Sequence, residues 1–228
     1  ELSSANSSFL VPHSSLSAAS DVAIVVLNWN GAGLLARFLP GVLAHADGAR
    51  VVVADLDRAR AEALAAELGG LALALDVSTR DANEAAAAEV ETRLGPVDLL
   101  VTSAGIIQRP VRADAMSEAD IEQVVRVDQI GTFHSAVAFG TRMARRGRGA
   151  IVTIASIAGM RSMPLHAYAP AKAAVIEMTR CLAAEWGRSG VRVNAVSPGY
   201  TLTPALGAAI EAGERDPALL EQSSALGR

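Results

Sequence analysis

Short β-rich runs, several of them continuously apolar, alternate along this chain with longer helical patterns. The runs fall at 22–27, 50–54, 71–75, 98–103, 149–155 and 191–196, with Val51-Val52-Val53 and Leu99-Leu100-Val101 as clear cases. A strand wet on one face alternates apolar and polar residues; an unbroken run predicts burial on both faces, as in a parallel sheet covered by helices. Leu34, Leu35, Phe38, Leu39, Val42 and Leu43 form a helical apolar stripe, and residues 58–68 and 82–94 are rich in Ala, Glu and Arg. Ser117 followed by Asp120 predicts a capped helix start, with the helix running to about residue 140. A further helix is predicted from Tyr168 to about Trp186. Repeated strand–helix–strand units imply right-handed crossovers and an α/β, doubly wound parallel sheet.

Composition narrows the setting. A chain of 228 residues fits one domain and can bury a sizeable core. Apolar residues make up 51% and aromatics 4%, which suits Ala, Val and Leu helices packed closely on a sheet. Residues 1–20 read as a flexible, Ser-rich extension and 21–228 as a single domain, undivided by repeat or linker. The net charge of −4, without a basic stripe, argues against nucleic acid. Arg142, Arg145, Arg146 and Arg148 form the one basic cluster, read as a solvated helix end before a strand. Cys181 is alone, so no disulfide framework or cysteine zinc site is expected, in keeping with a reducing, cytoplasmic setting. His13, His45, His134 and His166 have no ligand spacing, and no metal site is expected. No run reaches the ~18 apolar residues of a membrane span. Phe9-Leu10-Val11 is too short for a signal-peptide core.

The candidate chemistry lies in Ser156, Tyr168 and Lys172. Tyr168 and Lys172 are four residues apart and share a helix face. An ammonium beside a phenol favours the phenolate, so Lys172 is expected to lower a tyrosine pKa that is otherwise about 10. Ser156 would hold a substrate oxygen while Tyr168 gives or takes its proton.

From about Gly48 onward several motifs occur in one order: Gly48 to Asp55, Asp76-Val77, Thr102-Ser103-Ala104-Gly105, Ser156-Ile157-Ala158-Gly159, Tyr168-Ala169-Pro170-Ala171-Lys172, and Arg192 to Gly199 followed by Thr203-Pro204. Together they resemble the short-chain dehydrogenase/reductase family. The resemblance implies a Rossmann-type fold and hydride transfer between NAD(H) and a small alcohol or carbonyl substrate. It makes Tyr168 the acid/base, Lys172 its partner and a ribose contact, and Ser156 the group that orients the substrate oxygen. It also implies cofactor contacts at Gly31, Gly33, Asp55, Asp76, Val77, Ala104, Gly105, Pro198, Gly199 and Thr203. Asp55, an acid at the end of the second strand, favours NAD over NADP. Met160, His166 and the 200–215 segment become pocket neighbours. The family's two long helices, here about 117–140 and 168–186, imply a dimer or tetramer.

The chain departs from the family pattern in four places. Leu27 stands where the first glycine of the phosphate-binding turn belongs, with Trp29 beside it, although Gly31 and Gly33 remain. This makes 22–48 an atypical segment, and Pro40-Gly41 interrupts its helix. Residues 22–55 are also similar to the start of a family 2 glycosyltransferase, which leaves a chimera or a nucleotide-sugar transferase as alternatives. Asp55-Leu56-Asp57 spells the D-x-D of such enzymes, but reads better as a strand-end acid followed by a helix start. Asp128 stands in place of a catalytic asparagine, and an ionised carboxylate there would pair with Lys172 and oppose phenolate formation. Past Arg228 the family continues into a seventh strand, so the sheet is expected to lack its last strand. These departures keep a second reading open, a protein of this fold with impaired catalysis and little or no cofactor binding.

Overall fold

The computed structural model describes residues 23–27, 49–108, 111–201, 204–213 and 216–222. The stripe at 34–43, the altered glycine turn and residues 1–20 lie outside them.

Six parallel strands form one sheet in the order β3-β2-β1-β4-β5-β6, which is the doubly wound arrangement. They are β1 (Ala23–Leu27), β2 (Arg50–Asp55), β3 (Leu71–Ala74), β4 (Leu99–Thr102), β5 (Gly149–Ile154) and β6 (Val191–Val196). β1 lies at the centre, with Leu27 in register with Ala54 of β2 and Thr102 of β4. β3 and β6 are the edges, and no seventh strand occurs among the described residues.

The unbroken valine runs are explained by both faces being covered. Successive side chains of a strand point to opposite faces. Val52 joins a core with Val25, Leu100, Ile151, Val90, Phe139, Met143 and Trp186. Its neighbours Val51 and Val53 pack on the other face against Ala61, Leu64 and Ala65 of α1 (Arg58–Leu68). The first face is covered by α2 (Arg80–Leu94) and by a long helix in three parts. Those parts are α3 (Glu118–Val124), a π-helical segment (Val125–Gly131) and α4 (Thr132–Arg146). Ser117 caps the start as expected, its Oγ accepting from the Asp120 backbone N–H at 3.1 Å. Next comes α5 (Tyr168–Trp186), then the short α6 (Pro204–Glu211) and α7 (Pro217–Gln222).

The arginine cluster is only in part a solvated helix end: Arg145 and Arg148 are exposed, but Arg142 and Arg146 are engaged. Arg142 lies 2.8 Å from Glu84 and Arg146 lies 2.6 Å from Glu91, both acids on α2, and Arg148 reaches Asp98 at 3.2 Å. Arg146 also donates to the Val97 carbonyl. The cluster ties α4 to α2 and to the entry of β4. No described helix is long and apolar enough to cross a membrane.

Candidate active site

Ser156, Tyr168 and Lys172 converge at the carboxyl ends of the central strands. Ser156 follows β5, caps a single turn (Ile157–Gly159) and accepts from the Ala158 N–H at 3.1 Å. The turn is tied to the segment after β6 by Ile157 N–H donating to the Pro198 carbonyl at 3.1 Å. Pro198 is thus brought beside the serine, while Gly199 next to it is exposed. Tyr168 opens α5, and its phenol lies near enough to the Ser156 hydroxyl for the serine to lower its pKa. One turn on, the Lys172 ammonium sits 5.5 Å from the centre of the Tyr168 ring and donates to the Ile154 carbonyl at 3.0 Å.

Asp128 completes this group. It is fully buried on the π-helical segment, and its Oδ2 lies 3.2 Å from Lys172 Nζ. Oδ1 accepts from the Ile106 N–H at 2.8 Å. Oδ2 meets the ammonium off the hydrogen-bond direction and takes no hydrogen bond from another group. Burial pushes the Asp128 carboxyl above the usual carboxylate range, against the opposing pull of Lys172 and the Ile106 amide.

Tyr168 follows the expectation drawn from Asp128 and departs from the one drawn from Lys172 alone. Its pKa is raised, first by burial and then by the Asp128 charge, against the lowering effect of Ser156. The lysine was expected to make the phenol more acidic, but its charge is answered by a carboxylate at contact distance. Gly105 lies against this ion pair. A Cβ there would meet Asp128 Oδ2 at 2.9 Å and Lys172 Nζ at 3.2 Å, so the missing side chain makes room for the ion pair.

Sequence reasoning passed over Gln108. It is buried in the loop after β4, and its Oε1 accepts from both the Ala167 and Tyr168 N–H groups. It thereby satisfies the first amides of α5 where no capping side chain precedes the helix. A lone loop glutamine about 60 residues before its partners gives no local signal.

A second group of expected residues meets across the β2, β3 and β4 ends. Asp76, Val77 and Ala104 line a cleft of about 230 Å³ with Leu56, Ser78, Arg126 and Val127. Asp55 closes β2, buried, and accepts from the Asp57 N–H at 2.8 Å. Asp57 caps α1 through the Ala59 and Arg60 N–H groups, so D-x-D here is a strand end and a helix start. The Asp76-Val77 turn is fixed by Asn83, which donates to the Val77 carbonyl at 2.9 Å and accepts from Ser135 at 2.7 Å. Met160 is exposed, and His166 lines a wide, open cleft with Val111, Arg112, Asp114 and Pro164. Gly31, Gly33 and Thr203 lie outside the described residues.

A doubly wound sheet with a Ser, Tyr and Lys group and a separate cleft at its strand ends defines a Rossmann-type protein. The family model described as enoyl-(acyl carrier protein) reductase matches residues 42–228. D-threitol dehydrogenase of Mycolicibacterium smegmatis is 41% identical over 162 residues, covering 68% of this chain and 62% of that protein. The L-tagatose-forming galactitol 2-dehydrogenase of Cereibacter sphaeroides is 43% identical over 164 residues, covering 69% and 64%. The crystal structure of a ribose-5-phosphate isomerase from Brucella melitensis 16M matches with a TM-score of 0.84 and 45% identity, over 91% of this chain and 80% of that one. The chain belongs to the short-chain dehydrogenase/reductase family. It spans just under two thirds of the length of the two dehydrogenases. The glycosyltransferase likeness of residues 22–55 is not borne out, because β1 and β2 are consecutive members of the dehydrogenase-type sheet.

Proposed function

We propose that this chain is a nicotinamide-dependent oxidoreductase that interconverts an alcohol and a carbonyl on a small polyol or similar hydroxylated substrate, with NAD preferred over NADP. The observation that carries this reading is the meeting of Ser156, Tyr168 and Lys172 at strand ends that also carry the cleft lined by Asp76, Val77 and Ala104. The described residues fit a dinucleotide on its adenosine side: a buried acid at the β2 end, then an open cleft next to it. A bound nicotinamide supplies or accepts the hydride. Ser156 orients the substrate oxygen, and Tyr168 gives it a proton or takes one from it. Lys172, held by Ile154 and Asp128, contacts the ribose. Pro198, Gly199 and Thr203 border the carboxamide, with Gly31 and Gly33 at the phosphates.

Asp55 supports NAD, since a carboxylate there accepts from ribose hydroxyls and repels a 2′-phosphate. The arginines that follow have acidic partners, Arg58 with Glu62 and Arg60 with Asp57. The names of the two dehydrogenase relatives support a polyol. Homo-oligomers formed through the 118–146 and 168–186 helices, in the cytoplasm, belong to the same proposal. Ile121 and Phe133 are exposed on the first of these. A monomer by light scattering would remove that part alone.

Titration with NADH, followed by nicotinamide fluorescence, tests the core of the reading. Saturable binding tighter than that of NADPH is expected, and Asp55→Arg should abolish it. Tyr168→Phe should remove turnover and spare binding. A folded protein that binds neither nucleotide would overturn the reading in favour of an impaired one. The closed Asp128–Lys172 pair is the observation on that side.

A further inference from the structure

The Asp128–Lys172 pair is built into the centre of the site. Both side chains are buried, and each is held by a further backbone group. Asp128 Oδ1 is held by the Ile106 amide and Lys172 by the Ile154 carbonyl. The Thr132 hydroxyl donates to the Asp128 carbonyl at 2.7 Å, fixing the π-helical turn that carries it. The backbone of Gly105 approaches so closely that any side chain there would strike both partners. The charged groups facing Tyr168 are Lys172 on its own helix and Asp128 on the long helix opposite, and Ser156 adds a neutral hydroxyl. The ammonium therefore has a fixed anion at 3.2 Å and a phenol ring at 5.5 Å. Attraction between charges falls with distance, so the carboxylate has first claim on the cation.

We propose that Asp128 is a positioning residue that holds Lys172 in a closed ion pair, keeps Tyr168 in its proton-carrying form, and so biases the site toward donating a proton to a carbonyl oxygen over taking one from an alcohol. The bias in direction rests on the oxidoreductase reading above; the effect on Tyr168 does not. In the favoured direction the tyrosine O–H breaks and the product O–H forms, while the carbonyl carbon receives its electron pair as hydride from a reduced nicotinamide. Solvent then returns the proton to the tyrosinate. In the oxidising direction Tyr168 must first lose its proton, and a buried carboxylate nearby opposes the second negative charge.

The chain has two tyrosines, which makes the test direct. Tyr200 is exposed and serves as an internal reference, and Tyr168→Phe assigns the transitions. Tyrosinate ultraviolet absorbance is recorded against pH on the full chain without ligands. In the unaltered protein Tyr168 should ionise above Tyr200. Asp128→Asn keeps the shape and the Ile106 hydrogen bond but removes the anion, and should bring the Tyr168 transition down by about one to two pH units. Asp128→Ser serves if the asparagine variant does not fold. A Tyr168 transition below that of Tyr200 in the parent, or unmoved by loss of the carboxylate, overturns the proposal. With D-threitol and galactitol as probes, Asp128→Asn should raise oxidation at neutral pH about tenfold for each pH unit of that shift. Failure of the parent to oxidise either polyol counts against the oxidoreductase reading, and the absorbance result still decides the role of Asp128.

Discussion

Gly159 lets the serine turn reach the helix that carries the tyrosine and lysine, and substituting it tests how finely the site is set. The residue ends the turn after Ser156, its N–H donating to the Ser156 carbonyl at 3.0 Å. A Cβ at this position would lie 2.7 Å from both Ala173 N and Lys172 C, and 2.9 Å from Lys172 O. These are backbone atoms inside the first turns of α5, so no rotamer change relieves the contact. Ordinary contact begins at 3.4 Å, so the turn must retreat by about 3.4 − 2.7 = 0.7 Å. Ser156 retreats with it, away from the Tyr168 hydroxyl, and Pro198 follows through its bond to Ile157. A displacement near 1 Å is worth about 10²-fold in rate, or about 2.7 kcal/mol in the barrier. Gly159→Ala should therefore lower kcat by about 10²-fold. The adenosine-side cleft lies across the sheet ends and is not touched, so NADH binding should be nearly unchanged. Steady-state kinetics beside a nicotinamide fluorescence titration separates the two effects. A variant with parental kcat, or one whose loss lies wholly in NADH binding, would refute the reasoning.

Two other expectations follow from packing and charge. Lys172→Met strands the buried Asp128 carboxylate and should cost about 3–5 kcal/mol at neutral pH, seen as a Tm lower by roughly 10 °C. The folded pKa of Asp128 is already raised, and losing the ammonium raises it further, so its contribution is present at low pH and lost as pH rises through that value. The Tm deficit should accordingly shrink toward pH 5 and grow toward pH 8, and a deficit independent of pH would count against the pair. Gly140→Ala would bring a Cβ to 2.3 Å from the Trp186 ring, between α4 and α5, and should cost about 1–3 kcal/mol in chemical denaturation. An unchanged denaturation midpoint would mean that the two helices are less tightly packed than described.

The parts of the fold that were legible in the sequence are those set by local pattern. The pattern marked all six strands to within a residue or two. In β1, β2 and β4 this is because a strand covered on both faces has nowhere for a polar residue to point, whereas the edge strand β6 alternates apolar with exposed residues. The long helix was legible only as a single run. Its π-helical segment leaves the apolar stripe intact and depends on Asp128 meeting Ile106 and Lys172, which are distant in the chain. Arg142 and Arg146 were misread for a similar reason. Glu84 and Glu91 are more than fifty residues away, and nothing near the arginines announces them. Gln108 gave no signal either, since an amide that caps a helix from another segment leaves no mark on the helix sequence.

The trio of Ser156, Tyr168 and Lys172 was legible as a set, and Asp128 was legible as a rival for the lysine, but which of the two opposed effects on Tyr168 prevails was not. A lysine one turn from a tyrosine implies a more acidic phenol only while nothing nearer competes for the ammonium. Asp128 competes from 3.2 Å, in a setting where neither group is solvated and the pair screens itself from the phenol. Burial then acts on Tyr168 unopposed by a free cation, and the phenol holds its proton. Gly105 follows the same logic. The family resemblance implies a cofactor contact there, and the space a Cβ would fill is taken by the ion pair. The consequence for design is specific: enlarging residue 105 and neutralising residue 128 act on one pair, so Gly105→Ala should lose part of its effect in an Asp128→Asn background, whereas substitutions that act on the cofactor directly would add to it.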